Sequence, residues 1–193
     1  MIDTAACTSA APSAWVERFL PLILPGEALD LACGRGRHTR LLAARGLRVI
    51  AADRDEALLP GLTNDNVKTI SIDLEQGPSP ALDALLRPAR YAGIVVTNYL
   101  HRPLLPMLLD ALAEGGVLIY ETFGQGNAEF GKPSNPAFLL QPGELLSAVA
   151  QAIGPFQVVA YEHGFQAKPQ PAVVQRLCVI RCTDALAPDA VRL

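Results

Sequence analysis

Short apolar runs alternate with amphipathic segments along most of this 193-residue chain. Runs rich in Val, Ile, Leu and Ala predict buried β-strands, whereas apolar residues at helical spacing predict helices that pack on a sheet. The apolar runs predict strands at 28–32, 48–52, 67–72, 91–97 and 117–122. The amphipathic segments predict helices at 12–20, 36–44, 55–59, 80–86, 103–113 and 142–153.

Strands that alternate with helices form a mainly parallel sheet, because parallel neighbours need a crossover connection. The last two predicted strands, 156–161 and 173–181, have no helix between them and can pair only as an antiparallel hairpin joined by the loop 162–171. The order predicts an α/β fold of the Rossmann-like, doubly wound type. It combines a mainly parallel seven-stranded sheet, a C-terminal antiparallel hairpin and helices on both faces. We expect one domain over residues 1–193, with residues 1–11 frayed and a lid in the long loop 123–140.

Composition narrows the class of protein. Half of the residues are hydrophobic and 18% are charged, which excludes disorder for the body of the chain. A net charge of -3 argues against a nucleic-acid partner, since phosphate binding draws on a basic surplus. No apolar run reaches the roughly 20 residues of a membrane span, and no secretion signal is evident. We therefore expect no membrane partner.

The four cysteines predict neither a zinc site nor a disulfide framework. Cys7, Cys33, Cys178 and Cys182 show no C-x-x-C spacing and have no histidines at zinc-finger intervals. Cys178 and Cys182 lie on a predicted strand, where we expect them to pack as small hydrophobic residues. The pattern predicts no metal ion and favours a reducing, cytoplasmic location.

The segment 27–53 carries the clearest chemical signal. Gly34 and Gly36 follow the first predicted strand, where they let the backbone pass close to a ligand. The helix after them offers free N–H groups and a positive dipole end to a carboxylate. Asp53 ends the second strand, where its two oxygens are suited to bind both hydroxyls of a ribose. This βαβ pattern predicts a cofactor that contains adenosine.

Two residues favour S-adenosylmethionine over NAD. The dinucleotide fingerprint G-x-G-x-x-G has Thr39 in place of its third glycine. Asp30, at the end of the first strand, would repel a pyrophosphate but suits the ammonium group of an amino-acid tail. Arg37 and His38 open the next helix, where either could hold the methionine carboxylate or serve a structural role.

Polar residues at the ends of the later strands extend the predicted site. Asp73 ends the third strand and is placed to meet the adenine amino group, unless it is only a turn residue or a helix cap. Asn98 and Tyr99 follow the fourth strand, at a position that borders the ligand crevice of an open α/β sheet. The sequence therefore places several candidate ligands at one edge of the sheet.

The run 29–37, Leu-Asp-Leu-Ala-Cys-Gly-Arg-Gly-Arg, resembles the first motif of class I S-adenosylmethionine-dependent methyltransferases. The similarity continues through 49–53, 72–74 and 115–121, and is strongest to the small tellurite-resistance-like methyltransferases of bacteria. Ala32 departs from the family pattern, which usually has its first glycine there. The resemblance implies the fold, the cofactor and the reaction type, but no acceptor. The cofactor-binding residues it implies, with those argued above, are Asp30, Ala32, Cys33, Gly34, Gly36, Arg37, Asp53, Arg54, Asp73, Leu74 and Asn98.

The reaction implied is an in-line transfer of a methyl group to a small-molecule acceptor. His101, Glu121 and Tyr99 are the candidate catalytic residues, with His163 as a further candidate base. Glycines, prolines and aromatic residues in 123–140 are typical of a lid, in which Lys132 could meet an anionic acceptor. Trp15 and Phe19 on the first helix either cover the pocket or simply pack in the core.

Three other functions stay open at this point. The chain could bind S-adenosylmethionine without transferring its methyl group, as a sensor or assembly partner. It could methylate a protein or a nucleic acid, although Asn98-Tyr-Leu-His101 lacks the Asn/Asp-Pro-Pro-Tyr/Phe pattern typical of enzymes that methylate base amino groups. A nicotinamide oxidoreductase would have to bind its dinucleotide despite Thr39 and Asp30. Both a monomer and a homodimer are compatible with the sequence.

Overall fold

In the computed structural model, residues 11–183 are described, and they form one seven-stranded sheet with helices on both sides. The strands are β1 Glu27–Leu31, β2 Arg48–Asp53, β3 Val67–Ser71, β4 Tyr91–Thr97, β5 Leu112–Phe123, β6 Phe156–Gln166 and β7 Ala172–Arg181. The α-helices are α1 Ala14–Phe19, α2 Arg37–Ala44, α3 Pro80–Leu85, α4 Leu104–Asp110 and α5 Glu144–Gln151. Short 3₁₀ helices occupy Leu20–Leu22, Glu56–Leu58, Asn127–Glu129 and Pro136–Phe138.

The strand order is β3-β2-β1-β4-β5-β7-β6. The first five strands run parallel, and β7 lies antiparallel between β5 and β6. The predicted fold class, with its closing hairpin, is confirmed. The order reverses between β1 and β4, because β2 and β3 lie on one side of β1 while β4 and β5 lie on the other. Ligands of open α/β sheets bind at such a reversal, outside the carboxyl ends of the strands.

Side chains that alternate along the strands pack into two apolar cores, one on each face of the sheet. On one face, Trp15, Phe19 and Leu42 from α1 and α2 pack on the sheet. On the other face, leucines of α3, α4 and α5 pack around Leu29 and Ile94. Cys178 is fully buried and Cys182 nearly so, which confirms that both pack as small apolar residues.

The prediction of a helix over 103–113 was wrong at its C-terminal end. The helix α4 ends at Asp110, and β5 begins at Leu112, five residues earlier than the predicted strand. Leu112 pairs with Tyr91 and Val117 pairs with Gly93, so the residues between them bulge out of the ladder. Gly116 has no room for a side chain there, since a Cβ atom would lie 2.6 Å from the Tyr91 carbonyl oxygen.

The predicted loop 162–171 was also wrong in part, because β6 continues to Gln166. Its end pairs with the start of β7, with Gln166 opposite Ala172. This stretch lies at the edge of the sheet and is mostly exposed, so backbone pairing holds it and no apolar alternation marks it in the sequence. The predicted helix at 55–59 is a single 3₁₀ turn.

The expectation that residues 1–11 are frayed falls almost wholly outside the described residues. Within 11–183, no helix combines the length and the apolar character that crossing a bilayer requires.

Candidate active site

A cleft of about 370 Å³ lies at the carboxyl ends of the parallel strands, where the strand order reverses. We call it the first cleft. It is lined by Ala32, Asp53, Arg54, Ile72, Asp73, Leu74, Glu75, Asn98, Tyr99, Leu100, Thr122, Phe123, Pro133 and Phe138. Six of the eleven predicted cofactor residues are in this list. Its charged residues are three carboxylates and one arginine, so the first cleft is negative.

The turn between β1 and α2 borders the first cleft, to whose lining it contributes Ala32. Ala32, Gly34 and Gly36 all have left-handed backbone angles, with φ of 54°, 53° and 73°. At Gly36 a side chain is also excluded by packing, because a Cβ atom would lie 2.3 Å from Leu62 Cδ2. Ala32 lines the cleft in a conformation that favours glycine, so the departure noted in the sequence carries backbone strain.

Asp53 is fixed at the tip of β2 by two backbone donors. The Gly34 N–H donates to Oδ2 at 2.7 Å and the Asp55 N–H donates to Oδ1 at 2.9 Å. A carboxylate has about four lone-pair positions, so each oxygen keeps one for a ligand. The glycine turn and the acid therefore form one rigid unit, with the free acceptor positions beside the first cleft.

Asp30 lies behind the turn, outside the lining of the first cleft. It is buried and accepts a 2.6 Å hydrogen bond from Thr39 Oγ1. Burial raises the pKa of its carboxyl to about 7, although the Thr39 hydrogen bonds and the Arg37 charge act in the opposite direction. Thr39 therefore takes part in holding this acid, where a dinucleotide fingerprint would have a glycine.

The far wall of the first cleft is built from the ends of β3 and β4. Asp73 Oδ1 accepts the Glu75 N–H at 2.9 Å, which leaves the other carboxylate oxygen available to a ligand. The Tyr99 hydroxyl is buried, and among the described residues no group satisfies hydrogen-bond geometry with it. Burial and the nearby Glu75 and Asp73 carboxylates raise the pKa of Tyr99, so the hydroxyl stays protonated. Tyr99 therefore offers a donor to a ligand and cannot act as a base near neutral pH.

A second cleft of about 470 Å³ adjoins the first, and the two share Asn98 and Phe123 as lining residues. It lies between the start of α1 and the β6–β7 hairpin. Its lining residues are Ala11, Pro12, Ser13, Ala14, Arg37, Asn98, Glu121, Phe123, Gln166, Lys168, Pro169, Gln170, Val174 and Arg176. Asn98 has φ of 56° and its N–H donates to the Glu121 carbonyl, which fixes the strand tip between the clefts.

Glu121 is held by an arginine of the neighbouring strand. Arg176 lies directly opposite it on β7 and donates from Nε to Glu121 Oε2 at 2.5 Å. The same guanidinium also donates to Glu162 Oε2 at 3.0 Å and to Gln166 Oε1. Glu121 is 9% exposed and its carboxylate is occupied by the ion pair with Arg176, so it is a poor candidate for the base that contacts an acceptor.

Arg37 and His38 are brought to the second cleft and its wall, not to the first cleft. Arg37 lines the second cleft and donates from Nη1 to the Ala11 carbonyl at 3.2 Å.

His38 is buried behind the second cleft. Its Nε2 accepts the Ser13 N–H at 3.0 Å, and its Nδ1 lies 3.3 Å from Thr97 Oγ1. Because Nε2 is an acceptor, the proton of the neutral ring is on Nδ1. Burial, followed by the Arg37 charge, lowers the His38 pKa to about 4. His38 anchors the start of α1.

Several sequence candidates are not brought into either cleft. His101 precedes α4 and is half-buried, and His163 is exposed on β6; neither lines a cleft. Lys132 is exposed and does not line either cleft, although its neighbour Pro133 lines the first cleft. Trp15 and Phe19 pack in the core, which confirms the packing alternative for both. The buried Cys33 thiol, whose pKa burial raises to about 12, also lies outside the lining.

Other lining residues went unnoticed in the sequence. Glu75 gave no distinct signal, because it belongs to a turn whose path the sequence does not fix, whereas Pro133 was expected only as part of the predicted lid 123–140. Arg176 could be found only from the pairing of β7 with β5, which places it opposite Glu121 across 55 positions of sequence.

The strand order, the antiparallel β7 and the cleft at the strand reversal define the fold of class I S-adenosylmethionine-dependent methyltransferases. Within that class, the family model of the tellurite resistance protein TehB matches residues 10–102, just under half of the chain. This match confirms the resemblance seen in the sequence. No protein among the curated ones matches significantly.

Solved structures give the same picture of the fold. TehB from Haemophilus influenzae is 20% identical and superposes with a TM-score of 0.65, covering 91% of this chain. This chain spans only 64% of that protein's length. An S-adenosylmethionine-dependent methyltransferase from Mesorhizobium loti is 17% identical, with a TM-score of 0.63 over 88% of this chain and 99% of its own. The 1,6-didemethyltoxoflavin-N1-methyltransferase of Burkholderia thailandensis, solved with its substrate and S-adenosylhomocysteine, is 18% identical, with a TM-score of 0.60 over 88% and 76%.

Proposed function

We propose that this protein is an S-adenosylmethionine-dependent methyltransferase that transfers a methyl group to a small-molecule acceptor by in-line displacement. The observation that carries the proposal is the unit of Gly34 and Asp53 at the strand reversal, on a methyltransferase fold. Asp53 keeps a free acceptor position on each carboxylate oxygen, which suits the two hydroxyls of a ribose, and Ala32 is the residue of the neighbouring turn that lines the cleft.

The first cleft fits this cofactor in charge and in hydrogen bonding. Asp53, Asp73 and Glu75 outnumber Arg54 in the lining, and a negative cleft suits a cationic sulfonium. Tyr99 supplies a buried hydroxyl that lies near the Glu75 carboxylate but makes no hydrogen bond of good geometry among the described residues, so it could donate to a bound ligand. By contrast, the pyrophosphate of NAD would meet three carboxylates.

Each wall of the first cleft has an assigned role in the proposal. Asp53 would bind the ribose hydroxyls, and the free oxygen of Asp73 would accept a hydrogen bond from the adenine amino group. Leu74 and Ile72, which line the first cleft, would pack on the adenine ring. The open space around Gly34 would let the cofactor approach the backbone. Asp30 would act from behind the turn, as a positioning residue that holds Thr39 and α2.

The cofactor, when bound, supplies a methyl group on a good leaving group, so the protein mainly aligns the acceptor and excludes water. Alignment can contribute about 7–11 kcal/mol, compared with about 3–5 kcal/mol from a positioned base. Phe123, Pro133 and Phe138 line the first cleft from the loop after β5 and would shield the methyl group. Because Glu121 is paired with Arg176 and Tyr99 stays protonated, we propose an acceptor atom that ionises without a protein base.

We propose only that the methyl acceptor is a small molecule, and we do not name a compound. The names of the similar proteins point in two directions, to tellurite resistance in one and to 1,6-didemethyltoxoflavin in another. We also propose a cytoplasmic location, which the buried free thiols of Cys33, Cys178 and Cys182 support because a reducing compartment keeps thiols unpaired.

The proposal is tested by calorimetric titration with S-adenosylmethionine, S-adenosylhomocysteine and NAD. We expect micromolar binding of the two sulfur compounds and no binding of NAD. Asp53→Ala should weaken binding by about 100-fold or more, because a carboxylate with two ligand hydrogen bonds is lost. Asp55→Ala is the matched control, since its side chain caps a 3₁₀ turn outside the cleft. Melting temperatures of both variants separate a binding defect from unfolding.

The other outcomes distinguish the alternatives. NAD binding in place of the sulfur compounds would indicate an oxidoreductase and overturn the proposal, as would binding of none of the three. Binding of S-adenosylmethionine without its consumption, across a set of thiol, hydroxyl and amine acceptors, would favour a protein that senses the cofactor.

A further inference from the structure

We propose that the second cleft is the acceptor site and that it selects a small organic acid, whose carboxylate is bound by Arg37 and Lys168. This inference rests on the proposed function and adds the chemical class of the acceptor. Its starting point is the position of the cleft, which meets the first cleft at Asn98 and Phe123. A molecule in the second cleft can therefore present one atom to the methyl group while the rest stays clear of the cofactor.

The charges of the two clefts have opposite signs. The second cleft is lined by Arg37, Lys168 and Arg176 against the single carboxylate of Glu121. Arg176 is neutralised by its ion pairs with Glu121 and Glu162. Arg37 and Lys168 remain, and among the described residues neither forms an ion pair. Two cations without an ion pair, in a protein of net charge -3, favour a binding site for an anion.

The other lining residues of the second cleft favour an organic ligand over an inorganic ion. The cleft measures about 470 Å³, which lies within the range of sites for small organic ligands. Phe123, Val174 and Pro12 supply apolar surface, and Gln166 and Gln170 supply amide groups. A molecule with an apolar frame and a carboxylate at one end uses both kinds of surface.

The two cations come from opposite walls of the cleft. Arg37 opens α2 and is tethered to the Ala11 carbonyl, so its guanidinium is positioned before any ligand arrives. Lys168 is exposed on the turn between β6 and β7, where its flexible side chain can close over a bound carboxylate. Arg37 therefore fixes the orientation of the acid, and Lys168 adds charge from the hairpin.

The test measures binding to the protein saturated with S-adenosylhomocysteine, by ligand-observed NMR and calorimetry. The probes are 4-hydroxybenzoate, 4-mercaptobenzoate and 3-mercaptopropionate, each beside its neutral amide, with selenite as an inorganic oxyanion. We expect at least one acid to bind about tenfold more tightly than its amide. Lys168→Gln and Arg37→Gln should each remove most of that preference, and Lys168→Gln, which lies on the hairpin turn, should leave the affinity for S-adenosylhomocysteine unchanged.

Lys68→Gln is the matched control, because it removes an exposed lysine on β3, away from the cleft. It should preserve the preference for the acid. Equal binding of acids and amides, binding of selenite alone, no binding of any acid, or a preference that survives both cleft variants would overturn the inference. Failure of S-adenosylhomocysteine itself to bind would instead overturn the proposed function, so the two failures are distinguishable.

Discussion

Replacing His38 by glutamine should reduce the loss of unfolding free energy that the protein shows as the pH falls below about 6.5. The ring is buried and neutral, with Nε2 accepting the Ser13 N–H and Nδ1 facing Thr97 Oγ1. Protonation at Nε2 would break the bond to Ser13 and place a charge beside Arg37. These are the physical reasons for a folded-state pKa of about 4, below the value of 6.5 for a solvated histidine.

The sign of the effect follows from proton binding. Between pH 6.5 and about 4 the unfolded chain binds a proton at His38 and the folded protein does not, so stability falls as the pH falls. Between pH 7.5 and 4.5 this difference amounts to about 2.5 kcal/mol. Asp30 acts in the opposite direction, because its raised pKa makes the folded state bind the extra proton between pH 3.8 and about 7. The pH dependence of the wild-type unfolding free energy therefore combines both groups, and the contribution of His38 is obtained only by comparison with a variant.

The assay is urea unfolding of the wild type and of His38→Gln at both pH values. The amide oxygen of glutamine can still accept the Ser13 N–H, so we expect a loss of about 1 kcal/mol at pH 7.5. At pH 4.5 the variant should be the more stable protein, because it has no proton to take up on unfolding. His163→Gln, on the exposed face of β6, is the matched control and should follow the wild type. Parallel curves for His38→Gln and the wild type would refute the reasoning.

Two backbone predictions concern the glycine turn. Ala32→Gly should stabilise the protein by roughly 0.5–1 kcal/mol, because relief of left-handed strain exceeds the added entropy of the unfolded chain; a lower urea midpoint would contradict this. Gly36→Ala should destabilise it by about 2–4 kcal/mol, through backbone strain and the contact with Leu62. Gly46→Ala is the matched control, with φ of 80° and open space around its Cβ position, and equal losses in both would rule out the Leu62 contact.

Local patterns were sufficient to predict most of the fold. Tyr91–Thr97 was predicted with its observed bounds, because a run of buried β-branched residues between turn residues has few other structures. The start of β5 was missed because Leu112 pairs with Tyr91 across a bulge, and pairing of that kind has no local signature. The end of β6 was missed because an exposed edge strand is held by its backbone, to which the side-chain pattern does not respond.

The residues of the candidate site show the same difference between local patterns and long-range contacts. Asp53, Asp73 and Asn98 could be placed from the sequence, because residues at the carboxyl ends of adjacent parallel strands meet at one edge. The catalytic candidates depended on side chains from distant segments. From the sequence alone Glu121 is expected to be an unpaired acid. The pairing of β7 with β5 places Arg176 opposite Glu121, and the two side chains form an ion pair. His101 follows β4 closely in sequence but does not line the cleft.

The opposite charges of the two clefts bear on turnover as well as on recognition. The proposed cofactor enters a cleft with an excess of carboxylates and carries a positive sulfonium, so the field of the cleft favours the substrate form. In the proposed reaction, transfer of the methyl group would leave a neutral thioether, which Asp53, Asp73 and Glu75 would attract less than the sulfonium. In the second cleft, an acid whose reacting atom is ionised loses one negative charge as its bond to the methyl carbon forms, which weakens its attraction to Arg37 and Lys168. If the two proposals hold, the charges of both clefts would attract the products less than the substrates that formed them, so the separation of charge that brings the reactants together would also promote product release.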